Sequence, residues 1–375
     1  MTGKERIEAA FTPAGTPEIG AVICYEGIYE RDHWSQLTGH PWWYTHSPSL
    51  DDQILWRRDI VARTGQDWIS VPSCASRAAR ERQRIETHDG SAYRIDAQAG
   101  TRHRLTPPRP GGEWIEIPTR TPVPDAPGEV DALIPAAPPF DAGAFRRSGA
   151  CDLADRVRAE FPDLYPLGYV TGPLWALFGI WGFEGLMTMV AERPALCRRA
   201  AERQLALALN QVQACQALGA RGIWIEECYT DLISPAAFAE LNVPLLRELC
   251  RAVRKLGMHA IYYYCGNPWD RMAHLLSIGA DALSLEEGKK GFRIDVEDVV
   301  TAAGGRCVVF GNLDAIGLLE HGSDEELRRE IRRQIAAGKR NGSRFVLSIG
   351  SPVTPRTPVG RVRRYCDIAH ESGTL

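Results

Sequence analysis

The pattern of apolar and polar positions divides the chain into a repeating unit. A helical segment closes on glycine, and a short apolar run follows that ends in reactive side chains. The repeat is clearest between 218 and 288, where Leu218-Gly219, Leu256-Gly257 and Ile278-Gly279 close three helical segments. The runs that follow them, at 221–229, 259–267 and 280–288, carry Glu226-Glu227-Cys228, Tyr263-Tyr264-Cys265 and Glu286-Glu287 near their ends. Glycine tolerates the left-handed conformation that ends a helix, and short continuous apolar runs suit strands buried on both faces of a parallel sheet. Charge is tolerated only at the end of such a strand, so the carboxylates and the thiols are expected at one rim.

The same rhythm extends along the chain. Further strands are predicted at 21–26, 67–71, 165–173, 306–312 and 345–351. Helices are predicted at 4–11, 49–64, 144–161, 175–189, 194–218, 324–338 (with Ser323 as N-cap) and 358–372. Eight strands separated by helices predict an α/β fold, a (β/α)8 TIM barrel spanning residues 1–375 as one domain. From 82 to 118 the period changes to alternation around His88-Asp89-Gly90, with a further alternating segment at Trp114-Ile115-Glu116-Ile117. This predicts antiparallel β-hairpins inserted into the barrel. The Pro- and Ala-rich stretch at 118–141 reads as a surface linker. An aromatic stretch runs from Tyr29 through His33-Trp34 to Trp42-Trp43-Tyr44. It reads either as a lid packed on the body or as the wall of a ligand pocket.

Composition narrows the function classes. A net charge of −3 leaves no basic footprint for nucleic acid. No run approaches the ~20 apolar residues that span a bilayer. Met1 to Arg6 opens an amphipathic helix without the apolar core of a secretion signal, so a cytoplasmic location is expected, with the ten cysteines reduced. None of those cysteines forms a CxxC pair, which argues against a structural zinc knuckle. The histidines show no HExxH-like spacing, and none is assigned to a metal.

Several phrases, in order, resemble the uroporphyrinogen decarboxylase superfamily, which includes cobalamin-dependent methyltransferases. They are Thr2-Gly3-Lys4-Glu5-Arg6, Thr171-Gly172-Pro173, Leu232 to Phe238, Tyr264-Cys265-Gly266, Gly311-Asn312-Leu313-Asp314 and Thr354-Pro355-Arg356-Thr357-Pro358. The resemblance implies a (β/α)8 barrel. Decarboxylases of this kind carry an Arg-x-x-Gly-Arg-Tyr motif for substrate carboxylates and a His-Gly before the last Thr-Pro. The segment from Tyr25 to Trp43 lacks the first, and Ser351 stands where the His would fall. In the thiol-methylating branch, zinc is held by His-x-Cys on the fifth strand and a Cys near the end of the eighth, and related methionine synthases add a Glu on the sixth. Those positions hold Tyr263, Cys265, Ser351 and Glu287 here. Only Cys265 and Glu287 remain as good zinc ligands, fewer than the four that zinc takes.

The resemblance then implies the other half of such systems. This is a methyltransferase that moves a methyl group from a small methylated substrate to cob(I)alamin on a partner corrinoid protein. Its alternatives are a cofactor-independent decarboxylase or lyase of the same barrel, and a non-catalytic tetrapyrrole-binding barrel. In the methyl-transfer reading the enzyme must activate the leaving group, and paired carboxylates held near each other raise one another's pKa so that one can act as a proton donor. Glu227 and Glu287 are the first candidates, with Glu226, Glu286 and Tyr263 beside them. Asn312, Tyr25, Trp175 and Tyr264 are candidate substrate contacts, and Cys265 a candidate metal ligand. Each carboxylate pair could instead cap the next helix or pair with Lys289 or Lys290, and Cys265 could be a small buried hydrophobe. Because Tyr262 and Tyr264 alternate with Tyr263, one of the two sets must pack against the helices. Pairing of two barrels across their open ends is a further possibility.

Overall fold

A computed structural model describes residues 1–112, 121–288 and 291–373. Eight parallel strands form one sheet: β1 Gly20–Val22, β2 Trp68–Ser70, β3 Tyr165–Thr171, β4 Gly222–Glu227, β5 His259–Tyr264, β6 Ala282–Leu285, β7 Val308–Phe310 and β8 Phe345–Ser348. Their order around the sheet is β1-β8-β7-β6-β5-β4-β3-β2, so from β2 onward each crossover returns beside the preceding strand. The result is a TIM-barrel-like α/β fold with helices outside, as the spacing predicts.

The strands read as continuous apolar runs because both of their faces are buried. Trp68, Trp224, Ile261, Tyr263, Phe310 and Val346 share the inner cluster. Trp68 meets Trp224 edge-on at 5.6 Å and stacks with Phe310 at 6.0 Å, so aromatic rings plug the barrel axis. Ile223, Ile225, Ala260, Tyr262, Tyr264, Leu283 and Leu285 belong instead to the cluster that meets the helices.

Between β1 and β2 no strand ladder closes the circle. Asp67 replaces it. Its main-chain N–H donates to Ala21 O at 2.9 Å, and its carboxylate accepts from Ala21 N at 2.7 Å, from His370 Nε2 at 2.8 Å and from Arg6 Nη1 at 3.1 Å. The seam is thus held by side chains, and there is room beside it.

Several boundaries differ from the sequence reading. β1 stops at Val22, not at residue 26. Tyr25 adopts φ 56°, ψ 48°, and Glu26–Leu37 is a helix, so the aromatic stretch is largely helical, followed by the 3-10 turn Trp42–His46. The helical stretch expected at 144–161 consists of two helices, Ala142–Arg147 and Asp152–Glu160, separated by Gly149 at φ 85°. Helix Pro127–Leu133 lies within the expected linker.

The hairpin expectation holds at Gln83–His88 and Ser91–Asp96, which pair antiparallel around a turn with positive φ at both Asp89 and Gly90. A third strand, Thr101–Arg104, extends this sheet. The expected strand at Trp114 to Ile117 and the candidate partners Lys289 and Lys290 lie outside the described residues. No helix of the described residues is long and apolar enough to cross a membrane.

Candidate active site

Alternation along β4, β5 and β6 sorts the carboxylates. Trp224 points inward, so Glu226 does too, while Glu227 shares the outward phase of Ile223 and Ile225. On β5, Ile261 and Tyr263 point inward and Tyr262 and Tyr264 outward. Register pairs Glu226 with Tyr263 and Glu227 with Tyr264.

The inward groups meet at the C-terminal mouth of the barrel. Cys228 Sγ lies 3.7 Å from both Glu226 Oε1 and Tyr25 Oη. Cys265 Sγ donates to Glu286 Oε2 at 3.3 Å. Cys228 and Cys265 are within hydrogen-bonding reach of each other, so the row runs Glu226, Cys228, Cys265, Glu286. Tyr263 closes its floor. Its hydroxyl donates to Gly350 O at 3.0 Å, and its ring stacks on Trp224 and meets Tyr25 edge-on.

Burial raises the Glu226 carboxyl above its ordinary value, with hydrogen bonds from Tyr25 and Cys228 offsetting only part. The Cys228 thiol is raised as well, first by its hydrogen bond with Cys265 and then by burial. Glu226, whose carboxyl burial raises, can keep or release a proton beside a bound molecule.

The two carboxylates ranked first from sequence stand elsewhere, which corrects that ranking. Glu227 is fully buried, accepts from Asn242 Nδ2 at 2.9 Å, and packs on Gly172, where a side chain would collide with its Oε2. Glu287 accepts from Ser351 Oγ and packs on Gly350 in the same manner. It looks, with Asn312, into a polar cavity of about 450 Å³ that also holds Arg293, Asp295 and Arg333. Neither partners nor cavity walls are common to Glu227 and Glu287.

The contact candidates also separate. Tyr25 reaches the mouth. Trp175 is buried at the rim, against Phe178 at 4.6 Å and Tyr229 at 5.1 Å. Asn312 spends its amide hydrogens on Glu286 O and Ile294 O, so it positions the end of β6. Tyr264 is turned away from the mouth and meets Phe238 of helix Pro235–Leu241, because its place in the strand alternation points it outward. Cys265 is at the mouth, but the other positions of the implied set, Tyr263, Glu287 and Ser351, do not complete a zinc site with it. Burial holds the Tyr263 hydroxyl in its neutral form, and Glu287 and Ser351 bond to each other. Among the described residues no group of three or more His, Cys, Asp or Glu is arranged to hold a metal ion.

Sequence reasoning missed Cys228 as a site residue, although its place two residues after Glu226 puts it on the same face. It also missed Glu26 and Glu30, whose spacing of four would have shown one helix face had the helix been foreseen.

Glu227 yields a prediction of its own. Burial pushes its carboxyl from the ordinary 4.5 up to about 8. The unfolded chain releases this proton near the lower value and the folded protein near the higher one. Stability therefore falls as pH rises through that window, by up to about 1.4 kcal/mol per pH unit, and levels off above it. Glu227→Gln is expected to make that decline shallower, as seen in denaturant midpoints measured across the window. An unchanged slope would contradict the assignment.

The family model "Uroporphyrinogen decarboxylase (URO-D)" matches residues 112–372. A uroporphyrinogen decarboxylase of Anaeromyxobacter sp. (strain Fw109-5) is 28% identical over 269 residues, covering 69% of this chain and 71% of that protein. The methylcobamide:CoM methyltransferase MtbA of Methanosarcina mazei is 23% identical over 141 residues, covering 37% of this chain and 38% of that protein. A solved methyltransferase structure from Methanosarcina mazei superposes with a TM-score of 0.66 at 17% identity, covering 99% of both chains, and it shares the fold. With most of its length matched by the family model and its strands closing the same barrel, the chain belongs to the uroporphyrinogen decarboxylase (URO-D) family.

Proposed function

We propose that this chain is a corrinoid-dependent methyltransferase that removes a methyl group from a small methylated substrate and passes it to cob(I)alamin carried by a partner protein. The observation that carries the reading is the inward row of Glu226, Cys228, Cys265 and Glu286 at the mouth, with Tyr25 and Tyr263 around it. The corrinoid is the acceptor substrate and supplies the nucleophile. What remains for this chain is to bind the donor, exclude water and make its heteroatom a better leaving group. The carbon–heteroatom bond breaks with its electron pair on the heteroatom, and Glu226, whose carboxyl burial raises above its ordinary value, sits where it can keep a proton on that atom. Glu227 and Glu287 support the strand ends that carry this row.

The kinship with methyltransferases in sequence and fold supports the reading. So does the row of Glu226, Cys228, Cys265 and Glu286, which offers no cationic partner to the carboxylates of a porphyrinogen. Exposed Phe183 and Tyr229, 5.9 Å apart beside the mouth, give the partner protein an apolar surface to cover.

The test is to mix the purified chain with cob(I)alamin and a panel of methyl ethers, amines and sulfides. Formation of methylcob(III)alamin, followed by its absorbance, is the expected result. No conversion with any donor, together with carbon dioxide release from a carboxylated tetrapyrrole without cobalamin, would replace the reading with the lyase activity that the decarboxylase relatives are named for.

A further inference from the structure

We propose that the cavity at the β1–β2 seam binds a methylated amine as its ammonium cation and presents it to the mouth. This rests on the methyl-transfer reading and names the substrate class. The cavity measures about 360 Å³ and shares only Tyr25 and Glu226 with the mouth. That is the size of a small-ligand site.

Its walls come from five separate segments. After the left-handed turn at Tyr25, helix Glu26–Leu37 sets Glu26 and Glu30 one turn apart on the cavity face. Opposite them lie Trp56 and Arg57 of helix Leu50–Thr64, Trp68 of β2 and Tyr169 of β3. The enclosure therefore combines the rings of Tyr25, Trp56, Trp68 and Tyr169 with aliphatic wall at Ile60, Val61 and Ile69, and carboxyl groups are set into it.

Glu26 is held in place by three donors, Gln66, Ser70 and Tyr169. Glu30 differs. It lines the cavity, and among the described residues no hydrogen bond or ion pair reaches its carboxyl. Among the described lining residues Arg57 is the one cation, and its charge acts on Glu30 and Glu26, but its hydrogen bonds go to its own helix. Its Nη1 donates to Gln53 O at 2.6 Å and Gln53 Oε1 at 2.8 Å, and its guanidinium lies 4.0 Å over the Trp56 ring. Three carboxyls, Glu26, Glu30 and Glu226, thus face one guanidinium that is turned toward its own helix.

Glu30 is half-buried, and a carboxyl partly removed from water with no hydrogen-bond donor is costly in its charged form. Burial and the neighbouring Glu26 accordingly push Glu30 up to about 8. An incoming cation would draw it into the ionised form and pair with it, whereas an anion would find one guanidinium against three carboxyl groups. Aromatic faces attract ammonium groups and pack against N-methyl groups at the same time. The chemistry agrees with the mouth. In a protonated methylamine the C–N bond breaks with its electron pair on nitrogen, the proton already present stays, and a neutral amine departs. Glu226, on the boundary between cavity and mouth, faces that nitrogen.

Calorimetric titration at neutral pH compares two isosteres, protonated 2-(dimethylamino)ethanol and uncharged 3-methylbutan-1-ol. The cation is expected to bind at least about tenfold more tightly. Glu30→Gln, which removes no hydrogen bond, is expected to bring the two to within about threefold of each other. Equal binding by the wild type, or an undiminished cation preference in the variant, would overturn the inference. Methylcob(III)alamin formed from an aryl methyl ether, without any cation preference, would overturn it while leaving the methyl-transfer reading standing. A clear cation preference with no methyl transfer from any N-methyl donor would do the reverse.

Discussion

Glu226→Gln is expected to lower the rate of methylcob(III)alamin formation by about two orders of magnitude, the usual loss when a positioned proton-transfer group is removed. The amide fills the same space and can hydrogen-bond the donor, but it cannot share a proton with a departing heteroatom. The loss should therefore fall on kcat, with a smaller change in KM. The parent enzyme should lose activity as pH rises and Glu226 ionises, since burial raises that carboxyl and keeps it protonated below that point. The variant should lose this limb of the profile. Equal kcat in the two proteins would remove Glu226 from the chemistry.

The second large effect is structural. Asp67 stands in for the missing strand ladder between β1 and β2, and it is only 3% exposed. Asp67→Ala deletes the acceptor for Ala21 N, Arg6 and His370 at once. It leaves Arg6, itself part-buried, without its inner partner. Removing one side of a buried ionic network typically costs about 3–5 kcal/mol. Chemical denaturation should show a loss of that size. Because the seam is also one wall of the cavity, ligand binding should weaken even where the variant stays folded. A loss below about 1 kcal/mol would mean that the barrel closes without Asp67.

The barrel was legible because its signal is repeated. Each glycine-closed helix and each apolar run points to the same parallel sheet, and all eight predicted strands are present. The inward and outward assignment was not legible. Parallel strands bury both faces, so runs such as Ile223-Trp224-Ile225 and Tyr262-Tyr263-Tyr264 carry no alternation of polarity to reveal the phase. Adjacent carboxylates such as Glu226 and Glu227 therefore look equivalent in sequence, although the pleat sends them to opposite sides.

Helix Glu26–Leu37 was hidden for a different reason. Its buried positions include Glu26, Asp32 and His33 as well as Tyr29 and Leu37, so it has no apolar stripe, and it kinks at His33. The seam cavity was invisible in turn, since its carboxyls lie on that helix and its other walls lie on remote segments. Of the groups expected at one rim, Glu226, Cys228, Cys265 and Glu286 lie together, whereas Glu227 and Glu287 turn to other partners.

Initial rates of methylcob(III)alamin formation in Glu226→Gln and Glu227→Gln, measured side by side with the parent, test the inward row most directly. The inward substitution should cost about a hundredfold and the outward one less than about threefold. The opposite ranking would place the chemistry on the outer face of β4 and contradict the site described above.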